Sequence, residues 1–161
     1  SKEALHPMTE CYIFLAARNE LLQKKILPLL AQNHPKDIII LDRYLDSTVA
    51  YQGFARHLGA QSILALHDEG LLQTRPGLTF YLKIDLATSL NRQSKRGADK
   101  DYFEQEKNSF YQKLIEGYDY MAQYDKKRIQ VVNALQDEAA VFHDIKKIWQ
   151  AYQNDVKKQN G

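Results

Sequence analysis

At 161 residues the chain is of one-domain size and long enough to bury a core, and 22 Lys and Arg against 20 Asp and Glu leave a formal charge of +2, too balanced to mark a nucleic-acid binder. The single cysteine, Cys11, excludes an internal disulfide and suits a reducing cytoplasm, and the five histidines lack the spacing of a metal site. No apolar run approaches the ~20 residues of a membrane helix, so residues 1–161 read as one soluble α/β domain.

Taken in order, Pro7 ahead of Thr9 and Glu10 marks a helix entry with Thr9 as N-cap. Phe14, Ala17, Leu21, Leu22, Ile26, Leu29 and Leu30 recur at helical steps, with Pro28 at a final turn or kink. Phe14 and Arg18 share one face of that helix. After a turn at 33–37, the apolar run Ile38–Leu41 has the pattern of a buried strand in a parallel sheet. Asp42 and Arg43 fall at its carboxyl end, the edge where open α/β sheets bind ligands. A carboxylate there suits a hydrated Mg²⁺, and a guanidinium there suits a phosphate. Residues 48–57 read as a short helix carrying Thr48, Tyr51 and Gln52, and residues 62–69 as another, with His67 and Asp68 on an exposed face and Gly70 just past its end.

The turn Thr74-Arg75-Pro76-Gly77 opens a strand over 78–84, and Asp85 caps a helix running to about Arg96. Arg92, Lys95 and Arg96 lead into the polar stretch Gly97–Asp101, which has no apolar period. Beyond it come a helix through Tyr118, a short strand over 129–132, the loop Asn133-Ala134, and a terminal helix from Asp137 with Ala140, Val141, Ile145, Ile148 and Trp149 on one face. The polar tail from Asn154 is expected to fray.

The run Leu41-Asp42-Arg43-Tyr44, followed by Ser47, Thr48, Ala50, Tyr51, Gln52 and Gly53, resembles a signature of the thymidylate kinase family. The resemblance extends over nearly the whole chain and implies a three-layer α/β/α fold of the P-loop nucleoside-monophosphate kinase type, with three parallel strands here and a lid at about 92–103. It implies that Phe14 stacks on thymine, Arg18 bonds a carbonyl oxygen of the base, and Thr48 touches the base beside Ser47. Tyr51 would pack where a ribose 2′-hydroxyl goes, Gln52 would close the pocket, and Glu104 would serve the substrate side. Arg43 would hold the acceptor phosphate, Asp42 the Mg²⁺ or the acceptor, Arg92 and Arg96 the transferring group, and Asn133 and Ala134 the adenine of ATP. Two positions depart from the family pattern: Gly77 stands where an aspartate is usual, and Tyr102 where many members carry arginine.

The phosphate-cradling loop G-x-x-x-x-G-K-[ST] does not occur in the 161 residues, and neither does the strand expected before it. The expected activity of the complete enzyme is ATP-dependent conversion of thymidine monophosphate (dTMP) to the diphosphate, by a cytoplasmic homodimer with no membrane or nucleic-acid partner. Residues 1–161 alone are expected to bind dTMP weakly and to transfer no phosphoryl group. Two alternatives stand beside this: a deoxynucleoside kinase of the same fold, disfavoured by Asp42-Arg43-Tyr44 where such enzymes carry Glu-Arg-Ser, and a non-catalytic nucleotide-binding or dimerising module without the loop.

Overall fold

The computed structural model describes residues 5–32, 38–68, 74–94 and 104–159. The chain divides into two compact units, Ser1–Arg75 and Pro76–Gly161.

In the first unit, helix α1 spans Pro7–Leu21, with Pro7 in its first turn, where a missing N–H costs nothing. The cap is His6, whose ring accepts from the Met8 N–H at 3.2 Å, not Thr9. A π-helical segment, Leu22–Ile26, follows, and Leu27 donates to the Leu22 carbonyl five residues back. Helix α2, Leu27–Ala31, then carries Pro28 in its first turn. Pro28 has no N–H for the carbonyl four residues before it, and the wider winding comes just ahead of that break.

The buried face of this helical run is Cys11, Leu22 and Ile26, with Arg18 at the same spacing and half-buried. The expected stripe is therefore only partly the core face, because Phe14, Leu21, Leu29 and Leu30 are 42 to 52 % exposed. Ile38–Leu41 is not a strand. A strand needs a ladder partner, and the first unit offers none among the described residues, so Ile38 and Ile40 stand exposed.

Helix α3, Leu45–Thr48, passes into a second π-helical segment, Val49–Ala55, in place of the expected α-helix over 48–57. Arg56 closes it by donating to the Tyr51 carbonyl at 2.8 Å. His57 and Gly59 then take positive φ, and α4 runs Ala60–Asp68. Gly53 lies against the start of α4, where a Cβ would come 3.3 Å from the Ala60 Cα, so backbone packing rules out a larger residue without movement. Leu45, Val49, Ala50, Ile63 and Leu64 complete the core of this unit.

In the second unit, β1, Thr79–Lys83, pairs in parallel with β2, Ile129–Asn133, in the register Thr79 to Ile129 through Lys83 to Asn133. Helices α5, Leu86–Ser94, α6, Glu104–Tyr124, and α7, Glu138–Gln159, surround this pair in sequence. The fold is a helix-rich α/β fold with a parallel sheet, of two strands among the described residues where three were expected. Asp85 caps α5 as expected, taking the Thr88 N–H at 2.7 Å, and these bonds hold its carboxyl below the usual range. Asp137 caps α7 through the Ala140 N–H at 2.8 Å, and α7 stays helical to Gln159 rather than fraying from Asn154. Gly77 lies against the Tyr152 hydroxyl, so a side chain at this position would require that hydroxyl to shift. The buried Arg128 ties the strand entrances together, giving Nε to Asp125 at 2.8 Å and Nη1 to the Thr79 hydroxyl at 2.9 Å.

Candidate active site

Of the residues expected on the acceptor side, the first unit brings Thr48 onto Arg18. The guanidinium gives Nη2 to the Thr48 hydroxyl at 2.7 Å and to the Tyr44 carbonyl at 3.2 Å, and Nη1 lies 2.9 Å from His67 Nε2. It also sits over the Tyr44 ring, 4.9 Å from the centroid. Elements α1, α3 and α4 thus fix one side chain in one plane. Burial lowers the Arg18 pKa, opposed by Tyr44, Cys11 and Asp46, and the group stays charged. The Cys11 thiol is raised by burial, against the pull of Arg18, and stays protonated.

Three of the five guanidinium donors are engaged by Thr48, Tyr44 and His67. Among the described residues the Nε–H and one Nη1–H meet no acceptor. One helical turn earlier, the Phe14 ring is 49 % exposed, which leaves an aromatic face on the same helix as this donor set. Thr48 is buried, and its hydroxyl, which accepts from Arg18, also carries a proton to donate.

His67 was expected on an exposed face and is instead 1 % exposed. Arginine only donates, so His67 Nε2 must accept and its proton sits on Nδ1, which finds no partner among the described residues. Burial first, then the charges of Arg18 and Arg75, push its pKa down to about 4. The sequence did carry a signal for this. Ile63, Leu64 and His67 share one face of α4, while the neighbouring Asp68 faces solvent and pairs with Arg75.

Arg43 forms a second cluster. Its φ of 67° puts a non-glycine residue in the left-handed region, a local strain that occurs preferentially at functional turns. Its Nη1 donates to the Tyr51 hydroxyl at 3.2 Å, and its guanidinium lies 5.4 Å from the Tyr51 ring centroid. Both Asp42 and Arg43 are exposed. Ser47 is half-buried on α3, and Gln52 is buried in the second π-helical segment. No group of three or more His, Cys, Asp or Glu side chains forms a metal cage among the described residues. A lone exposed carboxylate such as Asp42 still fits Mg²⁺, which keeps several waters and takes its other ligands from phosphates.

The second unit brings together two of the residues expected on the ATP side. Arg92 Nη2 donates to the Ala134 carbonyl at 2.9 Å, and the Ala134 N–H donates to the Lys83 carbonyl at 2.9 Å. Asn133 folds its Oδ1 onto the Leu135 N–H at 3.0 Å, setting a tight turn after β2. Arg96 and Tyr102, the greater part of the expected lid, the turn at 33–37 and Gly70 lie outside the described residues. Glu104 begins α6, and its side chain is likewise outside them.

A family model described as thymidylate kinase matches residues 1–145. The thymidylate kinase of Mycoplasmopsis pulmonis is 40 % identical over 146 residues, covering 89 % of this chain and 61 % of that protein. That of Alkalilimnicola ehrlichii is 39 % identical over 142 residues, covering 88 % and 64 %. The chain thus spans less than two thirds of the length of these curated relatives. The crystal structure of thymidylate kinase from Ehrlichia chaffeensis superposes with a TM-score of 0.70 at 27 % identity, covering 92 % of this chain and 67 % of that one.

Proposed function

The chain belongs to the thymidylate kinase family, and on that premise we propose that the complete enzyme phosphorylates dTMP with ATP and that Ser1–Arg75 supplies its acceptor site. The observation that carries this reading is the Arg18 guanidinium, held in one plane by Thr48, Tyr44 and His67 with donors to spare, one turn from the half-exposed Phe14 ring. A fixed donor favours a pyrimidine whose 4-position is a carbonyl and opposes one whose 4-position is an amino group, which would set donor against donor. Phe14 supplies the stacking surface for the ring. Thr48, with Ser47 beside it, faces the base, and Gln52 closes the pocket behind Tyr51.

Tyr51, carrying Arg43 on its hydroxyl and ring, excludes a 2′-hydroxyl while it aims the guanidinium at the 5′-phosphate. Asp42 holds Mg²⁺, which when bound neutralises phosphate charge. Arg92 braces the Asn133–Ala134 loop for the adenine, with Arg96 covering the transferring phosphate and Glu104 on the acceptor side. The work of these residues is positioning and charge neutralisation, with no covalent intermediate. The reading extends to a cytoplasmic homodimer. The single buried Cys11 is in keeping with a reducing compartment, and no helix among the described residues is long and apolar enough to cross a membrane.

The test is a titration of wild type and Arg43→Ala with dTMP and with thymidine. Loss of a charge-assisted phosphate contact, about 2 kcal/mol, is expected to weaken dTMP roughly thirtyfold and to leave thymidine within about threefold. Equal losses for both ligands would remove Arg43 from the phosphate site.

A further inference from the structure

We propose that His67 is a positioning residue for base selection: by accepting from Arg18 Nη1 across 2.9 Å it fixes which guanidinium donors are left to meet the base. This rests on the acceptor-site reading above. Without His67, Arg18 keeps the Tyr44 ring beneath it but hydrogen-bonds through Nη2 alone, to the Thr48 hydroxyl and the Tyr44 carbonyl. A guanidinium held at one nitrogen can swing its other donors, whereas one held at two cannot. Base discrimination requires the second arrangement, because a donor that swings away no longer penalises a 4-amino pyrimidine.

Three observations carry the assignment. His67 is buried on α4 among Ile63 and Leu64, a place where an apolar side chain would pack without loss. Its Nδ1–H is buried without a partner among the described residues, a cost that an apolar residue would avoid and that packing alone does not explain. The acceptor is kept neutral by its surroundings. Arg18 from α1 and Arg75 beyond α4 oppose a second positive charge, and together with burial they outweigh Asp68 and Asp46. A protonated imidazole would present a donor to a guanidinium that can only donate, and the contact would break.

The experiment compares dTMP and dCMP binding by the protein and by its His67→Leu, His67→Asn and His67→Gln variants, with a urea midpoint to show that each is folded. His67→Leu removes the acceptor, and His67→Asn places it short of the Nε2 position. In both, the preference for dTMP over dCMP is expected to fall about tenfold, while the preference for dTMP over thymidine, set at the phosphate end, stays within about twofold. His67→Gln places an oxygen near the Nε2 position and is expected to restore base preference. Should His67→Leu fail to fold, the Asn and Gln pair carries the same comparison. An unchanged dTMP to dCMP ratio in the folded variants, with wild type clearly preferring dTMP, overturns the role of His67 alone. A wild-type protein with no preference for dTMP overturns the acceptor-site reading and this inference together.

Discussion

Arg18→Met is expected to cost about 3 kcal/mol of stability and to abolish discrimination among pyrimidines. The methionine matches the aliphatic stem but strands His67 Nε2 without its donor and leaves the Tyr44 carbonyl only the Thr48 N–H at 3.3 Å, and a buried acceptor left unpaired costs about 1–3 kcal/mol. Thr48 loses the shortest of the three contacts, at 2.7 Å. Arg18→Lys is expected to recover little of this, because a single ammonium on a flexible stem does not reproduce a planar fork shared among acceptors from α3 and α4. Urea unfolding at pH 7.5 checks the stability, and titration with dTMP and dCMP checks selectivity. A stability change under about 0.5 kcal/mol would show that the guanidinium rests at the surface and that its hydrogen bonds hold nothing in place.

The second large effect is in acid. His67 has a native pKa pushed down to about 4 from an ordinary 6.5. The unfolded chain therefore takes up this proton as pH falls through 6.5, while the native protein resists until about 4. The stabilisation is complete above pH 6.5 and is lost on the way down, amounting to about 3 kcal/mol by pH 4. Asp85 and Glu116, whose carboxyls are held below their usual range by hydrogen bonds, also lose stabilisation in acid, but they do so equally in a His67 variant. The informative quantity is thus the difference between wild type and His67→Gln across pH 7 to 4.5. Wild type is expected to lose stability more steeply, and parallel profiles would contradict a buried neutral imidazole.

The caps at Asp85 and Asp137 and the strands near 79–83 and 129–133 were legible in the sequence because each depends on local chemistry: a carboxylate ahead of a helix, or a β-branched and aromatic run beside a turn. Ile38–Leu41 carries an equally good strand pattern, yet pattern specifies only a surface to be buried, and pairing requires a neighbour. The two π-helical segments were not legible. One precedes Pro28, which also fits an ordinary kink, and the other packs Gly53 against Ala60, a contact between elements rather than a property of either.

The candidate site divides in the same way. Arg43 and Tyr51 were singled out by the resemblance of their run to a family signature, and the structure puts the two side chains in contact. His67 was hidden because histidine beside aspartate near a helix end suggests solvent, although its phase with Ile63 and Leu64 pointed inward. Phe14 was placed on the core stripe, whereas the buried face runs through Cys11, Leu22 and Ile26, with Arg18 in phase with it. That arrangement half-buries an arginine and leaves an aromatic ring half-exposed one turn away.

The account is tested most directly by titrating the wild-type protein calorimetrically with dTMP, thymidine, dCMP and ribothymidine monophosphate. An Arg18 plane reading the base, an Arg43–Tyr51 pair reading the phosphate and a tyrosine ring filling the 2′ position together predict dTMP as the tightest ligand, by roughly tenfold or more over each of the others. Thymidine or dCMP binding as tightly as dTMP would contradict it.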